Sequence, residues 1–263
     1  MKIHMFQVDA FTENLFGGNP AAVCLLAEPI SDELMQKIAA ENNLAETAFV
    51  TETGDSFNIR WCTPKVEVDL CGHATLASAH VIFNHLNYPE KTIRFSSRSG
   101  ILEVRKENDL LVLNFPTDTI QKGCLSATVT ESLGMAPVEI LKGKTDFLLV
   151  YESQKQIEEL DPDFAGLSKA TARGIIVTAK GNESDFVSRF FAPQVGINED
   201  PVTGSAHTTL IPYWSDRLGK KEMTAIQLSE RRGYLECKDL GERVEIAGKA
   251  VTYLEGEIEV VRQ

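Results

Sequence analysis

The sequence predicts an α+β fold built from two pseudo-equivalent domains. Three observations lead there. One cluster of residues occurs twice at a separation of half the chain, strand-type segments dominate both halves, and one apolar helix follows each copy of the cluster.

The repeat is read from IRWCTPKVEVDLCGHATL (59–76) and SRFFAPQVGINEDPVTGSAH (188–207). Arg60 and Arg189 match, Pro64 and Pro193 follow four residues later, and seven residues on come Cys71 and Asp200. On this alignment Pro201, Val202 and Thr203 are extra, after which Gly72-His73-Ala74 matches Gly204-Ser205-Ala206. A second block, FSSRSGILEVR (95–105), resembles LSERRGYLECK (228–238), and the blocks keep their order. Two copies are a duplication, too few for a solenoid. The expected domains are 1–117 and 118–263, joined near FPTDTIQKG (115–123), where Pro116 and Gly123 interrupt the apolar pattern.

Strand signals come from β-branched and apolar runs. In the first half they are KIHMFQVDAF, AAVCLLA, TAFVTE, FNIRWCT and LLVLNF. In the second they are DFLLVYE, GIIVTAK, FVSRFFA, RVEIAG and AVTYLEGEIEV. Helices are expected at 31–43, with Ser31 as N-cap, at 74–86 and at 206–218, where Pro212 removes a hydrogen bond or kinks the axis. A short helix is expected at 131–135. ATLASAHVIF is small or apolar on most faces, which suits a helix enclosed by a curved sheet.

Composition narrows the function classes. Of 263 residues, 43% are hydrophobic and 24% charged, as in soluble globular proteins. A net charge of −12 without a basic cluster argues against nucleic acid and anionic membranes. No apolar run has the length of a membrane span and the N-terminus lacks a signal-type core, so a cytoplasmic protein is expected. Five cysteines without a CxxC argue against a disulfide framework and against a metal site.

Gly72-His73 and Gly204-Ser205 each stand at an expected helix start. Unpaired N–H groups and the helix dipole favour negative charge there. Asp200 lies at one such end, as an N-cap or a ligand contact, and Glu199 beside it reads as solvated or structural. Glu46 is a carboxylate among Leu44, Ala45, Ala48 and Phe49. On a surface it is an ordinary strand-end residue; buried, it suits general acid/base work. Its rough counterpart in the second half is Arg173. Asp9 and Asn19 read as turn residues, and His207 is ambiguous.

VDAFTENLFGGNPAAV, LAETAFV, IRWCTPKVEVDLCGHATLASAHV and EDPVTGSAH together resemble the PhzF family, named from phenazine biosynthesis, whose fold is similar to that of diaminopimelate epimerase. The resemblance implies two domains, each a sheet rolled around a central helix, a site between them, and commonly a homodimer. The phenazine enzyme isomerises trans-2,3-dihydro-3-hydroxyanthranilate without metal or organic cofactor. By resemblance Glu46 is the proton shuttle, with His73 and Asp200 as its catalytic companions. Gly72, Gly204 and Ser205 hold the small carboxylated substrate, with Cys71 beside them. Related epimerases use two cysteines; Cys71 matches one, but Asp200 fills the other place on this alignment, so a two-thiol racemase is not supported. A racemase or epimerase using Cys71, and a non-catalytic binding protein on the same fold, are the alternatives.

Overall fold

The computed structural model describes residues 1–260. Contacts divide the chain into two units. One is Met1–Asn114 together with the chain from Ala247 onward; the other is Phe115–Ile246.

The first unit's sheet begins at the C-terminal strand Ala250–Glu259 and continues through Lys2–Ala10, Asn19–Leu26, Glu46–Thr53, Ser56–Cys62, Thr92–Ser97 and Gly100–Glu107. The successive pairings are antiparallel, antiparallel, parallel, antiparallel, parallel and antiparallel. The second unit runs Gln121–Lys122, Glu139–Lys142, Asp146–Val150, Gly174–Lys180, Phe186–Phe191, Glu222–Gln227 and Gly233–Asp239, with the same order of senses. The duplication read from short motifs thus extends to the whole strand pattern. Parallel neighbours require a crossover. In each unit the second parallel pair is bridged by the long apolar helix, Gly72–His85 or Gly204–Leu218.

Helix Gly72–His85 packs on five strands, from Ala250–Glu259 to Gly100–Glu107, so the sheet wraps around it. His73 to Ala79 and Val81 to Phe83 are all buried. Ala74, Ala77 and Ala79 let strand backbones approach, while Leu76, Val81 and Ile82 each contribute roughly 1.5–3 kcal/mol by leaving water. The buried hydroxyls of Thr75 and Ser78 donate to the carbonyls of Cys71 and Ala74, so neither is left unsatisfied. In the second unit Trp214 stacks on Phe186 at 5.8 Å and donates to Thr178 Oγ1 at 2.9 Å. The helix runs unbroken through Pro212.

Three expectations are corrected. The second domain does not extend to 263: the final strand pairs along Lys2–Ala10 and completes the first unit. The short helix is Ala127–Glu131, capped by Ser126, and residues 132–135 form turns. Two further helices, Gln154–Glu159 and Phe164–Leu167, lie in the crossover between the second unit's first parallel pair. The helix expected at 31–43 is Asp32–Asn42, with Ser31 accepting from the Leu34 N–H.

Both enclosed helices bury a histidine in the first turn. Burial pushes His73 down to about 3 and His207 down to about 4. His80, half-buried on the first of these helices, is lowered to about 4, by burial first and then by His85 and Lys106. Folded values below the unfolded value of about 6.5 mean that the native state binds fewer protons. Their stabilising contribution is therefore full above about pH 6.5 and is lost progressively as pH falls toward 4 and 3. Urea unfolding between about pH 6 and 5 is expected to show stability falling with acidity, each histidine approaching about 1.4 kcal/mol per pH unit. His207→Gln removes about a third of that slope; an unchanged slope contradicts the assignment.

Candidate active site

Glu46 opens its strand in parallel register with Ala21, at the edge of the apolar core. Its side chain is 13% exposed, and Oε2 lies 3.2 Å from His73 Nε2, in contact but not aligned as a hydrogen bond. The other imidazole nitrogen, Nδ1, is 3.2 Å from Asn19 Nδ2 and 3.5 Å from Cys71 Sγ. An amide NH₂ only donates, so Nδ1 accepts and the ring proton sits on Nε2, facing the carboxylate. With its pKa pushed so low by burial, His73 is neutral at physiological pH and faces Glu46 without forming a fixed ion pair.

Asn19, expected as a turn residue, is fully buried and positions this imidazole. The preceding turn explains how. Gly18 has φ +59°, and a Cβ there would lie 2.1 Å from the Ala10 carbonyl oxygen, so only glycine passes. Asp9, buried, accepts from the Phe16 N–H at 2.8 Å and clamps the same turn. Asn19 was legible as turn chemistry; its role depends on a helix 54 residues away.

The donor atoms of Glu46, Cys71 and His73 all lie within 4.8 Å of one another, the one such group among the described residues. Carboxylate, thiol and imidazole are all donor types that zinc takes, but the two imidazole nitrogens face different partners, Nε2 the Glu46 carboxylate and Nδ1 the Cys71 sulfur.

In the second unit the repeat must be realigned. Arg60 forks onto Glu67 through Nε and Nη2 at 2.7 and 2.6 Å; Arg189 forks onto Glu199 in the same way at 2.7 and 2.9 Å. Glu67 therefore matches Glu199, and the three extra residues lie between Pro193 and Glu199. The N-caps of the two enclosed helices are Cys71 and Thr203. Thr203, not Asp200, is the counterpart of Cys71. Asp200 accepts from the Thr203 hydroxyl, and buried Gln227 ties the segment down by accepting from Thr203 N–H at 2.8 Å and donating to the Asp200 carbonyl at 2.7 Å. Glu199 is structural, as its partner Arg189 also bonds the Ile157 and Leu160 carbonyls.

Neither Cys71 nor Thr203 makes a side-chain cap, whereas Ser31, Ser126, Ser153 and Asp163 all cap the outer helices. The first N–H groups around Gly72-His73 and Gly204-Ser205 thus have no side-chain acceptor from the cap, which leaves both helix starts electropositive. Ser205 Oγ accepts from Arg173 Nη2 at 2.9 Å, a contact that motif reading did not reveal.

The chain is similar to known proteins over nearly its whole length. The family model for phenazine biosynthesis-like proteins, PhzC-PhzF, matches residues 8–256. An uncharacterized isomerase of Pseudomonas aeruginosa is 52% identical over 259 residues, covering 98% of this chain and 99% of its own. The crystal structure of a PhzF family phenazine biosynthesis protein from Enterococcus faecalis superposes with TM-score 0.96 at 43% identity, covering 99% of this chain and all of that one. A predicted epimerase from Pseudomonas aeruginosa, at 17% identity and TM-score 0.77 with 98% and 100% coverage, shares the fold. These names support an isomerase over a non-catalytic binding protein. An acid residue, an imidazole and a thiol held at the start of a sheet-wrapped helix, in a chain matched over nearly its full length, identify a member of the PhzC-PhzF family of phenazine biosynthesis-like isomerases.

Proposed function

We propose that the protein is a cofactor-independent isomerase in which Glu46 moves a proton on a small carboxylated substrate. The observation that carries this reading is the Glu46–His73 contact: a nearly buried carboxylate held by a neutral imidazole at an uncapped helix start. Glu46 takes a proton from carbon activated by a neighbouring unsaturated or carboxylate group and returns it at another position. The Nε2–H of His73 keeps the carboxylate oxygen aimed. Negative charge that develops on the substrate is taken up by N–H groups near Gly72, Gly204 and Ser205, and preorganised donors of this kind lower the barrier without reorganising. Asp200, oriented by Thr203, meets a polar hydrogen of the substrate.

Racemisation through Cys71 has one observation in its favour, the 3.5 Å approach of its sulfur to His73 Nδ1. Against it stands Thr203, which supplies no second thiol at the matching cap.

Hydrogen–deuterium exchange into cyclic and amino carboxylic acids, followed by mass spectrometry, tests the assignment. Glu46→Gln is expected to lower exchange by about 10²–10⁴-fold with the circular dichroism spectrum intact, and Cys71→Ser to retain most of it. The reverse pattern transfers the chemistry to the thiol.

The family resemblance also leads us to a homodimer, and the charge and apolar patterning to a cytoplasmic protein without nucleic-acid or membrane partners. No helix of the described residues is long and apolar enough to cross a membrane. Light scattering is expected to return twice the mass of the chain; a monomer at micromolar concentration rejects the dimer.

A further inference from the structure

The second unit carries a cation next to the position where the first carries Glu46. In the first unit the parallel pair aligns Ala21 with Glu46; in the second it aligns Asp146 with Gly174. Arg173 therefore stands one residue before the position that matches Glu46. The two side chains reach equivalent targets. Glu46 meets His73, the second residue of its enclosed helix, and Arg173 meets Ser205, the second residue of the other.

Arg173 is built into place from several sides. Its Nε donates to Asp146 Oδ1 at 3.0 Å and its Nη2 to Asp146 Oδ2, on a carboxylate that is 2% exposed. Nη2 also donates to Ser205 Oγ. The guanidinium lies 5.4 Å from the centre of the Phe190 ring. Its own backbone N–H bonds to the Thr145 carbonyl, and Gln194 donates to the carbonyls of Ala172 and Arg173. These contacts occupy the Nε and Nη2 corners. Nη1 has no partner among the described residues, and the side chain is 39% exposed. Burial lowers its pKa, but the hydrogen bond and charge of Asp146 together with the charges of Asp200 and Asp118 outweigh this and raise it, so the group is a permanent cation. Asp118 is itself engaged by Thr209 and the N–H groups of Thr119 and Lys144, and Asp200 by Thr203.

An arginine held rigid on two corners, with the third open beside a serine, fits an anionic oxygen pair. We propose that Arg173 is the carboxylate-recognising residue of this isomerase, with Nη1 and the Ser205 hydroxyl gripping the substrate's carboxylate. This rests on the proposed function for the identity of the site, but its test does not depend on turnover.

Benzoate and its neutral isostere benzamide, with acetate and acetamide as the smaller pair, are titrated calorimetrically. The proteins are wild type, Glu46→Gln, Arg173→Lys, Ser205→Ala and the double variant Arg173→Gln/Asp146→Asn. The double variant removes the buried carboxylate's charge along with its partner, which guards against misfolding, and Arg173→Lys keeps the charge for Asp146 but loses the fork. Wild type and Glu46→Gln are expected to prefer acid over amide, and the folded double variant to lose about 10- to 100-fold in acid affinity with amide binding unmoved. Arg173→Lys falls between, and Ser205→Ala weakens acid binding alone. The proposal is overturned if the folded double variant keeps the wild-type preference, or if wild type prefers neither acid at tens of millimolar. Failure of the Glu46 assignment appears instead as unreduced isotope exchange in Glu46→Gln and leaves these affinities unchanged.

Discussion

Enclosing an apolar helix within its own sheet is the constraint from which the rest of the structure follows. A helix buried along its length has satisfied backbone groups everywhere except at its ends. The C-terminal end of Gly204–Leu218 is closed by Gly219 in the left-handed conformation, whose N–H bonds to the Ser215 carbonyl. The N-terminal ends of both enclosed helices lack the side-chain cap that the outer helices carry. What remains polar in an apolar surrounding is then a first turn of electropositive N–H groups, and the residues placed there acquire unusual protonation behaviour. His73 is the clear case, since burial alone removes its charge and converts it into a neutral donor.

Duplication supplied two such turns, and divergence gave them different chemistry. The supports are retained: Arg60–Glu67 and Arg189–Glu199 hold the same strand-to-loop passage in each unit. An exposed ion pair contributes little, but these forks are bidentate and partly buried, and they fix the loop that delivers the helix start. At the chemical positions identity was lost. A carboxylate and an imidazole stand in one unit, an arginine and a serine in the other. The first pair offers a carboxylate beside a neutral imidazole and the second a fixed cation beside a hydroxyl, a division that a symmetric pair of bases would not provide.

Local patterning made most of the fold legible. The strands named from β-branched runs are present, and so are the three long helices, because each has a strong period or cap. What escaped was non-local. AVTYLEGEIEV reads as a strand, yet nothing in its own residues says that it pairs with Lys2–Ala10 and not with a neighbour in its own half. The alignment of Cys71 with Asp200 failed for a related reason: motif spacing counts residues, while the Arg–Glu forks show where the chain actually gained them. Glu46 and His73 were visible as chemistry-bearing types and Arg173 as the counterpart of Glu46, but the role of Asn19 was hidden by its glycine-rich turn and the grip of Asp146 and Ser205 on Arg173 by its distance along the chain.

The replacement of a second thiol by Thr203 bears on which chemistry the site favours. Inverting a stereocentre with two thiols needs one acid and one base on opposite faces, each able to take the other's role. A threonine hydroxyl cannot act as that base near neutral pH, and here it is already donating to Asp200. A proton moved between two positions on one face needs a single carboxylate, held so that it can accept and release. In the proposed mechanism Glu46 is that carboxylate, and the buried imidazole beside it, being neutral, does not tie it into an ion pair.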